Sequence, residues 1–420
     1  MTEAQMESVR DMEPAPYIRD MQQLTDHAEC EEVLKSKDFI QGSHRESAAF
    51  FAESLIMLDG EPHFERRRLE SVLFTKAALE HYERRALDPH IDQVIAEAAA
   101  NNRGDDGVVR GDLCQMLREM LARISATITG IDGVDDPEAT ARFRWFLEQL
   151  GTGVTVEWST EDHDAVISRI LGVRDLFVEE FFGPSLERRR DLVARHEAGE
   201  LDEGDLPTDL LTLMLANWNP DWDPEVPLRE ATLFLVAATQ TTTHTGPHVI
   251  RHLDEWLADN PGDREHLEDP EFLKKAAYEA LRLHLPAPAL LRQAVRDVEL
   301  STGRRVAEGE RVACMFTPAN RDEKVFGDTF RSFDPHRDTG SAKPWGLAFG
   351  GGEHMCIGRA LVTGLSARTD GTEGTDGTIV RILRALFRAG VKVDPDDSPA
   401  YTEASHHDAY ERFPVVFTNL

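Results

Sequence analysis

The stretch FGGGEHMCIG, Phe349 to Gly358, sets one cysteine, Cys356, among four glycines. Glycine has the most backbone freedom to lose on folding. The run Gly350, Gly351, Gly352, followed by Gly358, therefore marks a tight turn or a backbone that something large approaches. No Gly-Lys-Ser/Thr follows, which excludes a phosphate-binding loop. Cys30, Cys114 and Cys314 lie far from Cys356 and from one another. With no Cys-x-x-Cys pair, a zinc ribbon or thioredoxin-type site has no support, and these three read as buried thiols. Taken alone, the segment leaves two readings open: a glycine-rich turn around a buried cysteine, or a site at which Cys356 binds something.

The rest of the chain narrows the choice. It has 420 residues, 41% apolar and 29% charged, the composition of a soluble globular protein. The net charge of −31 repels polyanions and argues against nucleic-acid binding over a broad face. No run approaches the roughly 20 apolar residues that span a bilayer. The N-terminus, MTEAQMESVRDMEP, lacks an apolar signal core. The expectation is a cytoplasmic protein with neither membrane nor nucleic-acid partner.

Residues 1–45 read as an irregular lead-in with a short helix near Ala28 to Ser36. From about Pro62 to Arg195, apolar residues recur at three- and four-residue spacing, which predicts helices. The acidic segment HEAGELDEGDLPTD reads as a loop. A long helix is expected from about Pro227 to Trp256, apolar on nearly every side around Phe234 to Ala238 and so running through the core. EFLKKAAYEALRLHL predicts another helix, stopped by Pro286 and Pro288. RQAVRDVEL, RRVAEGERVACMF and the closing FPVVF read as strands. No internal repeat or long linker appears. The expectation is a mainly α fold with a smaller β region, one domain over residues 1–420.

Three further patterns accompany the cysteine. EALR places Glu279 and Arg282 one turn apart on a helix; alone, this is an ordinary ion pair. GEPHFERRR places His63 and Arg67 four residues apart, which alone is a solvated basic face. AATQTT, Ala237 to Thr242, puts polar residues into an apolar core helix, where threonine hydroxyls bond back to the i−4 carbonyl. With Phe349, Gly350, Gly352, His354, Cys356 and Gly358 in F-G-x-G-x-H-x-C-x-G, and ANRDEKVFGD and SFDPHR between, the whole set resembles the cytochrome P-450 family from residue 63 to 358, in the family's order.

The resemblance implies the cytochrome P-450 fold and haem b (iron protoporphyrin IX) with Cys356 as the thiolate ligand to iron. It implies that Glu279, Arg282 and Arg337 form a bracing network, since a carboxylate shared by two guanidiniums has its lone pairs satisfied. His63, Arg67, Arg292 and His354 are implied as partners of the haem propionates. Phe349, Gly350, Gly358 and Ala238 would border the ring. Thr241, with Thr242 and Gln240 beside it, is implied as the hydroxyl next to bound oxygen. The implied reaction is monooxygenation of a hydrophobic small molecule by O2, in bacterial secondary metabolism. A separate ferredoxin and NAD(P)H-dependent ferredoxin reductase would supply electrons, because the chain shows no flavin or iron–sulfur module. Arg66, Arg68 and Arg359 are candidate cations for such a partner. Phe50, Phe51, Leu55, Ile56, Phe234, Ala237, Ala289 and Leu290 are candidate pocket residues, with His406 and His407 near a polar substrate end.

Two departures stand out. The acid that precedes the family's threonine is Gln240 here, and an amide cannot titrate; the motif's glycine is Ala238. This opens a second expectation, a peroxygenase or a non-hydroxylating isomerase or dehydratase. The helix after the cysteine is interrupted by GLSARTDGTEGTDGT, Gly364 to Thr378, whose composition reads as a loop near the face where partners dock.

Overall fold

The computed structural model describes residues 13–366 and 373–420. The chain enters through strand β1 (Gln22–Leu24), helix α1 (His27–Lys35) and strand β2 (Phe39–Gln41), then helix α2 (Gly60–Glu70). Strand β3 (Val109–Asp112) leads into the antiparallel-type pair of long helices α3 (Leu113–Thr129) and α4 (Pro137–Val154). Helix α5 (Val226–Asp259) is followed by α6 (Pro270–Leu283), strands β4 (Ala289–Ala294) and β5 (Arg311–Met315), and the short helix α7 (Arg359–Thr363). Helix α8 (Thr378–Arg388) and strands β6 (Val391–Val393), β7 (Ala400–Tyr401), β8 (Tyr410–Arg412) and β9 (Pro414–Phe417) close the chain.

Local chemistry sets these boundaries. Asp26, Asp112, Asp136 and Asp269 each accept backbone N–H groups in the first turn of α1, α3, α4 and α6, satisfying donors that a helix start leaves orphaned. Gly130 ends α3 in the left-handed region at φ 93°, which costs glycine little. α6 stops at Leu283, ahead of Pro286. α5 extends past the predicted Trp256 to Asp259 and keeps Pro247 inside it.

α5 packs along α3, α4 and α6, so most of its residues are buried, as its apolar sequence requires. α8 buries Ile379, Val380, Ile382, Leu383 and Leu386 on one face against the same core. One sheet has the order β1-β5-β4-β2, with β1 parallel to β5 and the other pairs antiparallel. Its register sets Arg292 opposite Gln41. A second, antiparallel sheet runs β3-β9-β6, and β7 pairs with β8 in a hairpin. The helix-rich body and small β region follow the expectation from the sequence. No described helix is long and apolar enough to cross a membrane.

A buried ionic network joins α6 to the chain ahead of Cys356. Arg282, fully buried, donates from Nε and Nη2 to the two oxygens of Glu279, both at 2.8 Å. Arg337 Nε donates to Glu279 Oε1 at 2.8 Å. The remaining donors are also used: Arg282 Nη1 reaches Asn320 O and Phe330 O, and Arg337 reaches Phe326 O and Thr329 O. Asn320 in turn accepts Leu347 N–H on Oδ1 at 2.7 Å. The brace thus runs from α6 through Asn320 to a residue two before Phe349.

One sequence expectation is overturned. Arg66 is not a surface cation: it is buried, ion-paired with buried Glu230 of α5, and stacked with its guanidinium 4.1 Å from the Trp222 ring centroid.

Two outcomes follow. Glu279→Ala leaves two guanidiniums without their carboxylate, so stability falls by about 3–5 kcal/mol, read from urea unfolding midpoints; Glu279→Gln, which keeps an acceptor, loses less. His44, its ring edge-on to Phe51, is held down to about 4 by burial, aided by the Arg292 charge. It stays neutral in the folded chain while the unfolded chain takes up a proton below its ordinary value. Its contribution is therefore intact above about pH 6.5 and lost as pH falls towards 4. Between pH 7 and pH 5 this amounts to roughly 2 kcal/mol, and His44→Gln removes that part of the acid sensitivity of the thermal midpoint.

Candidate functional site

The Cys356 loop is folded around its own carbonyls. Cys356 N donates to Phe349 O at 2.9 Å and Gly350 N to Leu347 O at 2.8 Å. Gly350 and Gly352 have φ of 65° and 64°, the left-handed region. A Cβ on Gly352 would overlap the Leu34 carbonyl oxygen at the end of α1. Gly358 differs: its φ is −77°, and a Cβ there would meet nothing nearer than Phe74 at 3.8 Å and Cys356 Sγ at 3.9 Å. Protein packing therefore demands glycine at 352, whereas beside the sulfur there is room. The Phe349 ring is largely buried, edge-on to Trp345 with centroids 5.7 Å apart.

Cys356 is accessible where Cys30, Cys114 and Cys314 are buried. Arg67, Gly358 and Arg359 lie near its sulfur. Burial pushes its thiol up, while the N–H groups of Gly358 and Arg359 and the charges of Arg67 and Arg359 pull it back towards the thiolate.

α5 has an accessible stretch of its own. In the middle of this otherwise buried helix, Ala237 is exposed and Ala238 and Thr241 are half-exposed. Phe74 connects the two sides: its ring centroid is 5.9 Å from that of Phe234 on α5, and it is the nearest neighbour of Gly358. Thr241 Oγ1 donates to Ala237 O at 2.9 Å, the local back-bond open to a helical threonine. Thr242 is buried. The Gln240 side chain lies against Gly151 of α4, in a small hollow lined by Arg118, Arg144 and Glu148.

A cationic group gathers beside the loop. The His63 and His354 rings are 4.3 Å apart. Arg67 Nη2 donates to Met355 O at 2.6 Å. Arg292, nine-tenths buried or more, donates to Gln41 Oε1 and Leu291 O. Burial lowers both guanidiniums, and His63 is lowered to about 4 by burial together with the His354 and Arg67 charges. Asp59, which the sequence reading missed, accepts from His354 Nε2 at 3.1 Å and from Gln41 N at 3.0 Å. Burial pushes Asp59 up, yet these donors outweigh it and leave it lowered.

The remaining candidates divide. Leu290 approaches Gly350, and Phe234 and Ala237 lie on the α5 face just described. Phe50 and Phe51 are buried among Leu150, Val154 and Ile170, Leu55 is buried and Ile56 half-buried. Ala289 is buried with Ile18 and Leu291. His406 N donates to Trp158 O, and the His407 ring lies 4.8 Å from Trp158.

The donor set fits a haem. There is an accessible sulfur flanked by N–H groups, a strip of small side chains on α5, and two guanidiniums bonded to neutral carbonyls, Arg292 buried and Arg67 half-buried. Guanidiniums held that way have capacity left for carboxylates.

Comparison with known proteins gives the same answer. The family model described as cytochrome P450 matches residues 207–363. The steroid C26-monooxygenase of Mycobacterium tuberculosis is 26% identical over 372 residues, 87% of this chain and 86% of that protein. The linalool 8-monooxygenase of Pseudomonas putida is 36% identical over 158 residues, 36% of each chain. The crystal structure of CYP109E1 from Bacillus megaterium in complex with testosterone superposes with a TM-score of 0.69 at 18% identity, covering 99% of this chain and 98% of that one.

The chain matches the cytochrome P450 family over residues 207–363. It has the P450 fold, and it is an oxidoreductase of the monooxygenase type. The family's cofactor is haem iron.

Within this P450, α7 after Cys356 spans only Arg359–Thr363, and α8 begins at Thr378. Leu365 and Thr375 pair across the predicted loop, whose middle, residues 367–372, lies outside the described residues. Arg68 is exposed, and Arg359 is half-exposed with its guanidinium 5.4 Å from the Trp345 ring centroid.

The glycines separate in a testable way. Gly352→Ala collides with α1 backbone and lowers haem content of the purified protein several-fold. Gly350→Ala, with its nearest neighbour 3.7 Å from the added Cβ, carries only the φ strain of about 1–2 kcal/mol and keeps most of its haem. The ratio of Soret to protein absorbance checks both.

Proposed function

We propose that this P450 holds haem b through Cys356 and inserts one atom of O2 into a hydrophobic small molecule, the other leaving as water. The observation that carries the reading is the exposed Cys356 sulfur, flanked by the N–H groups of Gly358 and Arg359, with Phe74 reaching from Gly358 to Phe234 on the α5 stretch where Ala237 and Thr241 are accessible. Bound haem supplies oxygen activation, which a thiolate ligand favours by donating electron density.

The chain's own residues have separate tasks. The N–H groups and the Arg67 charge oppose desolvation and favour the thiolate at Cys356. Arg67, Arg292, His63 and His354 would hold the haem's carboxylates, and Asp59 holds His354 in orientation. Ala237 and Ala238 leave room on the distal side. Thr241 exchanges its bond to Ala237 O for one to a bound group. Glu279, Arg282 and Arg337 position the loop and touch no reactant. Phe234, Ala237 and Leu290 face the substrate, and the relatives named for a steroid and for linalool support an apolar one.

Each turnover needs two electrons and two protons. We assign the electrons to a ferredoxin and its NAD(P)H-dependent reductase, docking on the face with Arg68, Arg359 and the Leu365–Thr375 loop. A loop-shortened variant with unchanged ferredoxin kinetics would remove the loop from that assignment. A setting in bacterial secondary metabolism accords with the bacterial relatives.

Gln240 favours a second reading. It lies on the α4 side in contact with the Arg118 and Glu148 hollow, where a carboxylate would titrate and the amide only orients water. Slow proton delivery suits peroxide-driven turnover or a non-hydroxylating outcome.

The carbon monoxide difference spectrum of the reduced protein is expected to show the strongly red-shifted Soret band of thiolate-ligated haem, absent in Cys356→Ser; a band at the histidine-ligated position would overturn the assignment. Gln240→Glu raises the fraction of NAD(P)H electrons recovered in product, and Gln240→Ala does not. If both match wild type, Gln240 does not limit proton delivery.

A further inference from the structure

We propose that Glu70 and Glu230 share a single proton that latches α2 to α5, and that alkali opens this latch. Arg66 and Glu70 stand four residues apart on α2, hence on one face. That face meets α5: the Arg66 guanidinium pairs with Glu230, whose Oε1 also accepts Leu55 N–H at 2.8 Å. Glu70 and Glu230 are both 0% exposed, and their carboxyl groups are in hydrogen-bonding contact. An ionised carboxylate only accepts, so a hydrogen bond between the two needs a proton on one of them.

The charges around the pair require the same proton. Arg66 is the cation paired with it. Arg67, also on α2, pulls on Glu70 more weakly and donates instead to Met355 O. Arg229, the neighbour of Glu230 on α5, turns to Asp223 and Glu225. The loop ahead of α2 contributes the neutral Leu55 N–H and the Glu53 carbonyl oxygen, which meets Arg66. The helix Leu210–Ala216, packed on α2, carries no charged residue. Leu73, three residues beyond Glu70, shares one apolar cluster with Val226 and Phe234, one turn to either side of Glu230. With both acids ionised, one carboxylate would sit in this apolar setting without its own cation, which is strongly unfavourable. Arg66 positive, Glu230 negative and Glu70 neutral sum to zero.

The unpaired atoms agree. Both oxygens of Glu70 and Oε2 of Glu230 are buried with no other partner, so the shared proton is what satisfies them. Burial, with the Glu230 charge second, holds Glu70 well above the usual carboxylate range. The pair titrates as a unit. Its folded value is raised, so its contribution to stability is complete below the ordinary carboxyl value and is lost as pH rises through the raised one. Beyond that point two negative charges face Arg66 and repel across the α2–α5 junction. α2 also carries His63 and Arg67, and α5 carries Ala237 and Thr241. A consequence for haem rests on the function proposed above; the latch itself does not.

Infrared spectroscopy of the purified full chain reads the proton directly. In mildly alkaline buffer, where an ordinary carboxyl is ionised, the wild type is expected to keep the carbonyl band of a buried carboxylic acid. Glu70→Gln, which keeps the hydrogen bond without a titrating group, loses that band. Glu230→Gln loses it too, because Glu70 then ionises and pairs with Arg66. The wild-type thermal midpoint falls by several degrees from neutral to alkaline pH, and that of Glu70→Gln falls less. The double variant strands Arg66, and its midpoint drops by more than the two single shifts added. A wild-type spectrum without the acid band in that buffer would overturn the proposal and needs no variant. So would a band unchanged in Glu70→Gln, or one that persists in Glu230→Gln. Haem ligation is followed separately by the Soret band, so failure of the haem reading is not mistaken for failure of the latch.

Discussion

Glu279 is the atom group on which the site's geometry rests. A carboxylate removed from water is unfavourable unless every lone pair is used, and here both oxygens accept from Arg282 while Arg337 and Asp334 N–H share Oε1. The arginines spend their other donors on backbone carbonyls of residues 320–332. That fixes an otherwise irregular segment with little secondary structure of its own. Asn320 passes the constraint to Leu347 and so to the Cys356 loop. The loop is held by an ionic clamp and not by a sheet, which is why a turn of glycines can keep one shape.

A comparison of buried charges locates the ligand. Arg66 is closed: Glu230 pairs with it, Trp222 covers it, and Glu70 beside them is pushed well above the usual carboxylate range by burial and by the Glu230 charge, so it keeps its proton. One positive charge therefore meets one negative charge. Arg67, the next residue, is open: its donor reaches only a carbonyl, and burial lowers it. Consecutive arginines on one helix thus serve opposite ends, one joining α2 to α5 and the other left for an anion. Helical geometry explains the split, since neighbours in sequence point about 100° apart.

That distinction marks what the sequence could carry. The family pattern made the Cys356 loop, the Glu279 network and the approximate bounds of α5 and α6 legible, because each depends on residue type at fixed spacing. Arg66 and Arg67 look alike in ERRR, and only tertiary contact tells a core ion pair from a ligand partner. Phe50 and Phe51 carry the same ambiguity: an apolar segment before α2 reads equally as pocket or as core, and both are buried in a hydrophobic cluster. The Asp59–His354 and Arg66–Glu230 contacts span 295 and 164 residues of chain, which no local pattern records.

The distal side shows how little separates two outcomes. Thr241 is satisfied by Ala237 O, so releasing its hydroxyl exchanges one hydrogen bond for another, at small net free energy. Gln240 has no such alternative chemistry, because its amide carries no proton that can be lost and replaced near neutral pH. Arg118, Arg144 and Glu148 around it do include a titratable group, with Glu148 paired to both arginines at 3.6–3.9 Å. Glu148 lines the same hollow as Gln240, so in the proposed function it is the carboxylate on this side. On the proposed function, an amide at 240 beside an unchanged threonine would alter the rate of proton arrival rather than the binding of oxygen or substrate.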